Sequence, residues 1–532
     1  MDKKKYGDRF SRYLFIDEEL GLQLDISRIK FTDSFFKDME PKMKLAYTRM
    51  QELEKGAISN PDENRMVGHY WLRNPEIAPD RSIAVEISQT IESVKRFTKD
   101  IHMGKIRGEK GRLFENLLVI GIGGSSLGPR FIAEALGSDR NILQPYFLDN
   151  TDPDGIDRVL SHLEDELDKT LVIVVSKSGG TIETRNSMEE VKYFYSLKNL
   201  NFAKHAISIT QPGSLLASIS RKEEWLMGFP MWDWIGGRTS VLSAVGILPL
   251  ALQGINIDLL LEGAKRCDEL TRKENTSENP SALLALMWYT STGGQGGKQM
   301  VMLPYKDRLE LLAKYLQQLI MESLGKELDL DGKVVRQGIA VLGNKGSTDQ
   351  HSYLQQLLEG PDNFFVTFIE VLQDREGISP IIAEKSTSGD YLHAFLLGTR
   401  EALTTKGRES LTITIQKIDE FSLGVLLALF ERAVSFYAFL VNINAYHQPA
   451  VEMGKKGARE IIKMKNQILS FLQSNQGKRY TILELAHNID REEDMESLYK
   501  ILLHLVNNPG HEVKREKNTG ENNPFKDLFW SN

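Results

Sequence analysis

Apolar residues in the middle of this chain come in short unbroken runs. Each run ends in a glycine-bearing turn, and helical spacing follows. Residues 171–181 read Leu-Val-Ile-Val-Val-Ser-Lys-Ser-Gly-Gly-Thr. Five apolar residues, four of them β-branched, predict a buried parallel strand. Ile182, Met188, Val191 and Tyr195 then recur at helical spacing. Upstream, Asn116-Leu-Leu-Val-Ile leads into Gly121-Ile-Gly-Gly-Ser-Ser-Leu-Gly128, a second strand-loop-helix unit. Further strands are predicted at 145–149 and 206–209. Helices dominate 239–292. A second series has strands at 299–303, 338–342, 364–371 and 411–416, with helices at 308–325, 349–358 and 390–404. Alternation of this kind implies parallel sheets with right-handed crossovers, and two series imply two α/β domains.

The flanks read differently. Residues 1–105 look mostly helical and amphipathic, a segment expected to pack on the second domain. The α/β domains are expected at 106–290 and 291–470, with a long helical region over 421–475 and an appendage at 471–532. The last 20 residues are polar and rich in Asn, Lys and Glu, and are expected to be mobile.

Composition narrows the class. The chain has 532 residues, 41% of them apolar and 26% charged, ordinary for a globular protein. A net charge of −7 with no basic stripe argues against nucleic-acid partners. This holds even though 480–505 is patterned like a helix-turn-helix. Cys267 is the only cysteine, so intrachain disulfides are impossible and a cysteine-based zinc site is disfavoured. No secretory h-region or membrane span is evident, since the apolar stretch 426–441 is broken by Glu431 and Arg432. A cytoplasmic enzyme fits these facts.

Candidate chemistry lies at the turns. The loop after 171–175 offers the hydroxyls of Ser176, Ser178 and Thr181 and the ammonium of Lys177 at a helix start, a place that suits a phosphate. The upstream glycine loop does not complete a dinucleotide fingerprint: Ser126 stands where the third glycine belongs. Two hydroxyl-bearing loops on neighbouring parallel strands instead suggest one site for a phosphorylated small molecule. Arg238, in Asp233-Trp-Ile-Gly-Gly-Arg-Thr-Ser240, sits near a helix start. It is placed either to clamp an anion or to pair with Asp233. Gln318 and Glu322 are four apart, on one face of a helix, with Leu316, Leu319, Ile320 and Met321 around them. An apolar surround would raise the carboxylate's pKa and suit a general base; a solvated surface glutamate is the plain alternative. His351 is expected in the first turn of the helix after strand 338–342, at the carboxyl edge of a sheet, either as a neutral acid/base group or as a structural histidine. Pro449 suits a helix N1 position with Gln448 near the cap; Gln448, Glu452 and Lys455 then share one helical face, which taken alone reads as a solvent-exposed polar face.

Taken together, these motifs closely resemble the glucose-6-phosphate isomerase family from about residue 65 to 460. The matching stretches are Gly121–Pro129, Ser176–Thr181, Gly236–Arg238, Met321–Ser323, Gln350-His351, and Tyr446–Gln448 through Lys455. The resemblance implies two sugar-isomerase domains, each a three-layer αβα sandwich around a parallel sheet. It implies phosphate binding by Ser176, Lys177, Ser178 and Thr181, with Gly124 and Ser125 from the glycine loop. It implies Glu322 as the proton-transferring base beside Gln318, His351 as the ring-opening residue with Lys455 and Gln448 near, and Arg238 as stabiliser of the intermediate. It further implies hexose 6-phosphate substrates, no cofactor or metal, and a homodimer in which His351 serves the partner's site. Two departures stand out. Many members carry Gly-Glu-Pro-Gly-Thr-Asn-Gly-Gln before the histidine, where this chain has Gly343-Asn-Lys-Gly-Ser-Thr-Asp-Gln350. The tail beyond about 470 matches no family motif. Two rivals remain in view. A non-catalytic phosphosugar-binding regulator would leave Glu322, His351 and Lys455 surplus. An amidotransferase-like enzyme would want a nucleophilic cysteine in an N-terminal glutaminase.

Overall fold

In the computed structural model, which describes residues 3–518 and 523–532, the two runs of strands become two sheets. The first has five parallel strands in the order Gln144–Leu148, Asn116–Ile120, Thr170–Val175, Ala206–Thr210, Met227–Pro230. The last was not legible as a strand, because Gly228 and Pro230 interrupt it; at a sheet edge both are tolerated. Successive residues serve opposite faces. Leu117, Val119, Leu171 and Ile173 join a large central core. Leu118, Ile120, Val172 and Val174 join a separate outer core with Ile156, Leu160, Met188 and Val191. The outer helices are Pro153–Leu163 and Ile182–Leu197.

The second sheet is mixed, in the order Leu14–Asp17, Leu22–Arg28, Ser410–Ile415, Phe364–Val371, Gln299–Pro304, Val341–Leu342. Its last four strands are parallel and its first two antiparallel. The segment 1–105 is mostly helical, with Lys3–Tyr13, Phe35–Glu54 and Arg81–His102 as its long helices, but it also supplies strands that the pattern did not announce. Two of its stretches are strands, with Leu22, Leu24 and Ile26 buried at period two. The expected parallel sheet thus gains an antiparallel edge. Two predicted helices are also shorter than the pattern suggested. The 308–325 stretch is a short α-helix, Leu312–Leu316, running into a π-helical turn, Gln317–Glu322. The 349–358 stretch is a 3-10 turn, Thr348–His351, followed by Leu354–Glu359.

The chain divides into two compact units, Met1–His447 and Gln448–Asn532. The first holds both sheets, whose inner faces share the central core. Through that core runs the helix Glu420–Leu440, long and apolar enough to cross a membrane, yet with 94% of its most apolar window buried in the protein. Its Glu431 and Arg432 are fully enclosed and enter a buried ion network. Arg73 Nε lies 2.6 Å from Asp268 Oδ2, and Arg432 Nη2 lies 2.6 Å from Glu54 Oε1 and 3.0 Å from Asp268 Oδ1. Arg73 also pairs with Glu431.

The second unit begins with the helix Pro449–Ser474, so residue 471 falls inside an element whose Met464, Ile468 and Leu472 belong to this unit's own core. Helices Ile482–Asn488 and Met495–Val506 follow. Val513–Glu516 then pairs antiparallel with Leu528–Ser531, and Tyr480 bridges to Phe529. This is the element order of a winged helix. The expectation of a mobile tail is corrected over 513–518 and 523–532: Val513 and Phe529 are buried and anchor the hairpin. Residues 519–522 lie outside the described residues. The exposed positions Glu496, Lys500 and His504 on the Met495–Val506 helix form no basic face.

Candidate active site

Four segments of the first unit converge at the carboxyl end of the first sheet. The strand Asn116–Ile120 runs into a 3-10 turn, Gly123–Ser125. Gly124 is backed directly onto the Gly236–Arg238 turn: a Cβ on it would lie 1.8 Å from the carbonyl oxygen of Gly237. Only glycine permits that approach. Ser240 Oγ fastens the two turns, donating to the carbonyls of Gly237 at 2.7 Å and Gly124 at 3.3 Å. The neighbouring Gly123 faces Gln318, whose Nε2 would lie 3.1 Å from a Cβ built there.

The strand Thr170–Val175 delivers the second loop. Gly179 adopts φ +71°, and a Cβ would meet the Leu216 nitrogen at 2.3 Å. The serines curl the loop: Gly179 N–H donates to Ser176 Oγ and Gly180 N–H to Ser178 Oγ, both at 3.1 Å, while Ser176 Oγ lies 3.3 Å from Thr181 Oγ1. Lys177 Nζ reaches out of the loop and donates to the carbonyls of Asp233 at 2.8 Å and Ile235 at 2.9 Å. The phosphate-loop candidate is thereby tied to the arginine turn. Burial, with the nearby Arg65, brings the Lys177 ammonium down to about 8.

Arg238 is buried in the Gly237–Thr239 turn. Its Nη1 lies 3.0 Å from Glu322 Oε2, and its Nη2 donates to the carbonyls of Ala445 at 3.0 Å and His447 at 3.1 Å. Of the two readings open for this arginine, pairing with Asp233 gives way to pairing with Glu322. The reading of Glu322 is corrected with it. The carboxylate ends a π-helical turn, half-buried, and a guanidinium rather than an apolar wall faces it. Glu322 thus faces a cation, and it converges with Gln318, Arg238 and both glycine loops. π-Helical turns concentrate at functional sites.

The other candidates are carried by further segments. His351 is exposed at the end of its 3-10 turn, and among the described residues its ring makes no hydrogen bond or ion pair. The loop before it is pinned by Asp349 Oδ2, which accepts from the N–H groups of Asn344 at 2.8 Å and Lys345 at 3.2 Å. Gln350 donates to Thr399. Gln448 and Lys455 fall in the second unit, at the cap and on the second turn of the Pro449–Ser474 helix. Among the described residues, no group of three or more His, Cys, Asp or Glu is placed to hold a metal.

Comparison with known proteins decides the family. The profile of the family described as phosphoglucose isomerase matches residues 27–405 and 397–477. The chain belongs to this family. It is 62% identical over 508 residues to the glucose-6-phosphate isomerase of Desulfitobacterium hafniense (strain Y51), covering 96% of this chain and 95% of that one. To the glucose-6-phosphate isomerase of Geobacter sp. (strain M21) it is 53% identical over 532 residues, covering 100% and 99%. That alignment runs through the tail, so the segment beyond 470, which the motifs left unmatched, has a counterpart there. Among solved structures, the glucose-6-phosphate isomerase of Chlamydia trachomatis D/UW-3/Cx superposes with a TM-score of 0.78 at 27% identity, over 86% of this chain and 91% of that one.

Sequence reasoning passed over Lys326. Its side chain is buried, and its Nζ donates to the carbonyls of Glu322 at 2.7 Å and His447 at 3.0 Å. The signal was present in the i,i+4 spacing from Glu322 to Lys326, but an exposed helical pair reads the same way. Asp62 and Asn444 also lie close by: Asn444 Nδ2 donates to Asp62 Oδ2 at 2.6 Å, and His447 Nε2 lies 3.7 Å from the same carboxylate. Nothing in their spacing links residue 62 to 444.

Proposed function

We propose that this site interconverts glucose 6-phosphate and fructose 6-phosphate by proton transfer through an enediol, the reaction of the family to which the chain belongs. One observation carries the assignment of roles: Arg238 and Glu322 stand 3.0 Å apart where both glycine loops meet. The loop at 176–181, with Gly124 and Ser125, holds the phosphate. Binding there, remote from the reacting carbons, positions the sugar for proton transfer. The Glu322 carboxylate takes the proton from C2 of the open-chain aldose. The C–H electron pair becomes the C1–C2 double bond, and the carbonyl oxygen gains a proton to give the enediol. The same carboxyl returns its proton to C1, the C1–C2 double-bond pair forming the new C–H bond, while the O2–H pair closes the C2 carbonyl. The proton that O2 loses balances the one that O1 gained. Arg238 offsets the negative charge developing on oxygen, and Gln318 orients the substrate beside the base.

Ring opening is assigned to His351, assisted by Lys455 and Gln448. It moves a proton to the ring oxygen as the anomeric hydroxyl loses one. The exposure of His351, and its want of a partner among the described residues, support a homodimer in which this residue serves the partner's site. Exposed Ile378, Ile381 and Ile382, 98%, 63% and 56% accessible, supply apolar surface for such an interface. Each sheet with its covering helices is read as one sugar-isomerase domain. With its lone thiol buried at Cys267, the chain is read as a cytoplasmic enzyme.

The test is a coupled assay of purified protein on fructose 6-phosphate in the presence of EDTA. Turnover that persists under chelation supports the reading. No turnover, or turnover that needs added metal, overturns it.

A further inference from the structure

We propose that Lys326 is a positioning residue of the isomerase site: by donating to the carbonyls of Glu322 and His447 it holds the π-helical turn so that the Glu322 carboxylate meets Arg238. This rests on the assignment of Glu322 as base.

Glu322 is the last residue of the turn Gln317–Glu322. At a helix end the final carbonyls lose their intrahelical partners and must find others. Gly325 N–H satisfies Met321 O at 2.8 Å. The chain then leaves as a strand, Lys326–Leu328. The Lys326 side chain turns back and takes the Glu322 carbonyl at 2.7 Å. The lysine therefore caps the turn that presents the base, acting through its backbone rather than its carboxylate.

Its second bond gives the cap a further function. The His447 carbonyl accepts from Lys326 Nζ at 3.0 Å and from Arg238 Nη2 at 3.1 Å. Base and arginine are thus fixed to a common peptide group, one through its main chain and the other through its guanidinium. A shift of that peptide changes their separation, and misplacement of about 1 Å in a reacting group costs on the order of a hundredfold in rate.

The position is an expensive one for an ammonium. It is buried and shares its acceptor with a guanidinium, against which, among the described residues, the carboxylates of Glu322 and Asp62 help. Burial and Arg238 bring Lys326 down to about 7. The groups facing it are Arg238, Glu322, Asp62 and His447. A methionine of similar length would fill the space without the desolvation cost, so the donor function is what the lysine adds.

The experiment compares wild type with K326M, K326R and E322Q as purified full-length chains. Folding is checked by circular dichroism and thermal unfolding. For K326M, kcat falls roughly ten- to a hundredfold, KM for fructose 6-phosphate stays within about twofold because the phosphate loop is untouched, and the melting temperature does not fall. K326R, which keeps the donors, recovers most of kcat. The wild-type pH profile of kcat carries an ionisation near 7 that is absent from K326R, since arginine does not titrate there. A folded K326M with wild-type kcat overturns the proposal, as does a loss confined to KM. If K326M does not fold, an unchanged profile in K326R overturns it. An active E322Q would instead remove the base assignment itself, which separates the two failures.

Discussion

Lys177 of the phosphate-loop candidate donates to the main-chain carbonyl of Asp233 at 2.8 Å, tying the loop to the turn that carries Arg238. The two ends of the proposed site, one for the phosphate and one for the reacting carbons, are joined by a side chain rather than left to independent loops. Predictions about either end follow from this geometry.

At the reacting end, Glu322→Gln keeps the shape and the Gln318 contact surface but removes the base. Loss of a general base costs about 10²–10⁴-fold in rate. Substrate affinity is retained, and exchange of solvent tritium into C2 of glucose 6-phosphate falls in step with kcat. A variant keeping more than about a tenth of wild-type kcat shows that another group takes the proton.

At the phosphate end, Lys177→Ala and Thr181→Val weaken inhibition by 5-phosphoarabinonate. Each charge-assisted contact is worth about 1.5–3 kcal/mol. Lys177 titrates near 8, below the ordinary lysine value, because it is buried. It is therefore charged below that pH and loses its charge above it. Inhibitor affinity in the wild type declines as pH rises past 8, and Lys177→Ala abolishes that decline. Identical inhibition profiles for wild type and Lys177→Ala would refute the loop assignment.

The proposed exchange of His351 between subunits makes a reciprocal prediction. Tagged heterodimers of His351→Ala with Glu322→Gln contain one doubly damaged site and one with both native residues. They should turn over fructose 6-phosphate at about half the wild-type rate per dimer. If both residues of a site come from one chain, every site is damaged and the heterodimer is as inactive as its parents.

The buried ion network sets an acid limit on stability. Burial alone would raise the Asp268 carboxyl, but Arg432 and Arg73 hold it at about 2, below its ordinary 3.8. A depressed carboxylate contributes stability above its unfolded pKa and loses it as pH falls towards the folded value. The gap corresponds to about 2 kcal/mol, lost between roughly pH 4 and pH 2. Asp268→Asn leaves two buried guanidinium groups short of a partner and costs about 3–5 kcal/mol at neutral pH. Its thermal unfolding curves lose part of the acid dependence seen in wild type; an unchanged acid flank would assign the limit to other groups.

The sequence revealed those parts of the fold that rest on contiguous signals. Strands Asn116–Ile120 and Thr170–Val175 are buried on both faces and read as unbroken apolar runs. The strand Leu22–Arg28 carries its signal only at alternate positions, inside a stretch that otherwise looks helical, and its buried Asp25 pairs with Arg400 far along the chain. The π-helical turn was illegible because its residues suit an α-helix equally well. The tail hairpin was masked by polar composition, although Phe529 alone anchors one of its strands in the core. At the site, Arg238 and Glu322 were each singled out, but their pairing spans 84 positions and depends on how the chain folds back. Lys326 was missed for the converse reason: its link to Glu322 is local, and short spacings of opposite charge are common on solvated helices.

The first sheet also acts as a partition. Its outer-facing residues and the helix Ile182–Leu197, which starts at the phosphate loop, belong to one cluster. Leu316, Leu319 and Ile320, beneath the base, belong to the central core on the other side. The two ends of the site are therefore backed by different hydrophobic clusters within one unit. Hydrogen exchange is expected to reach the helix behind the phosphate loop before the backbone beneath the base, and equal rates would show that the two open together. A lineage can likewise retune its grip on the phosphate through substitutions at Met188 or Val191 without disturbing the foundation on which proton transfer is built.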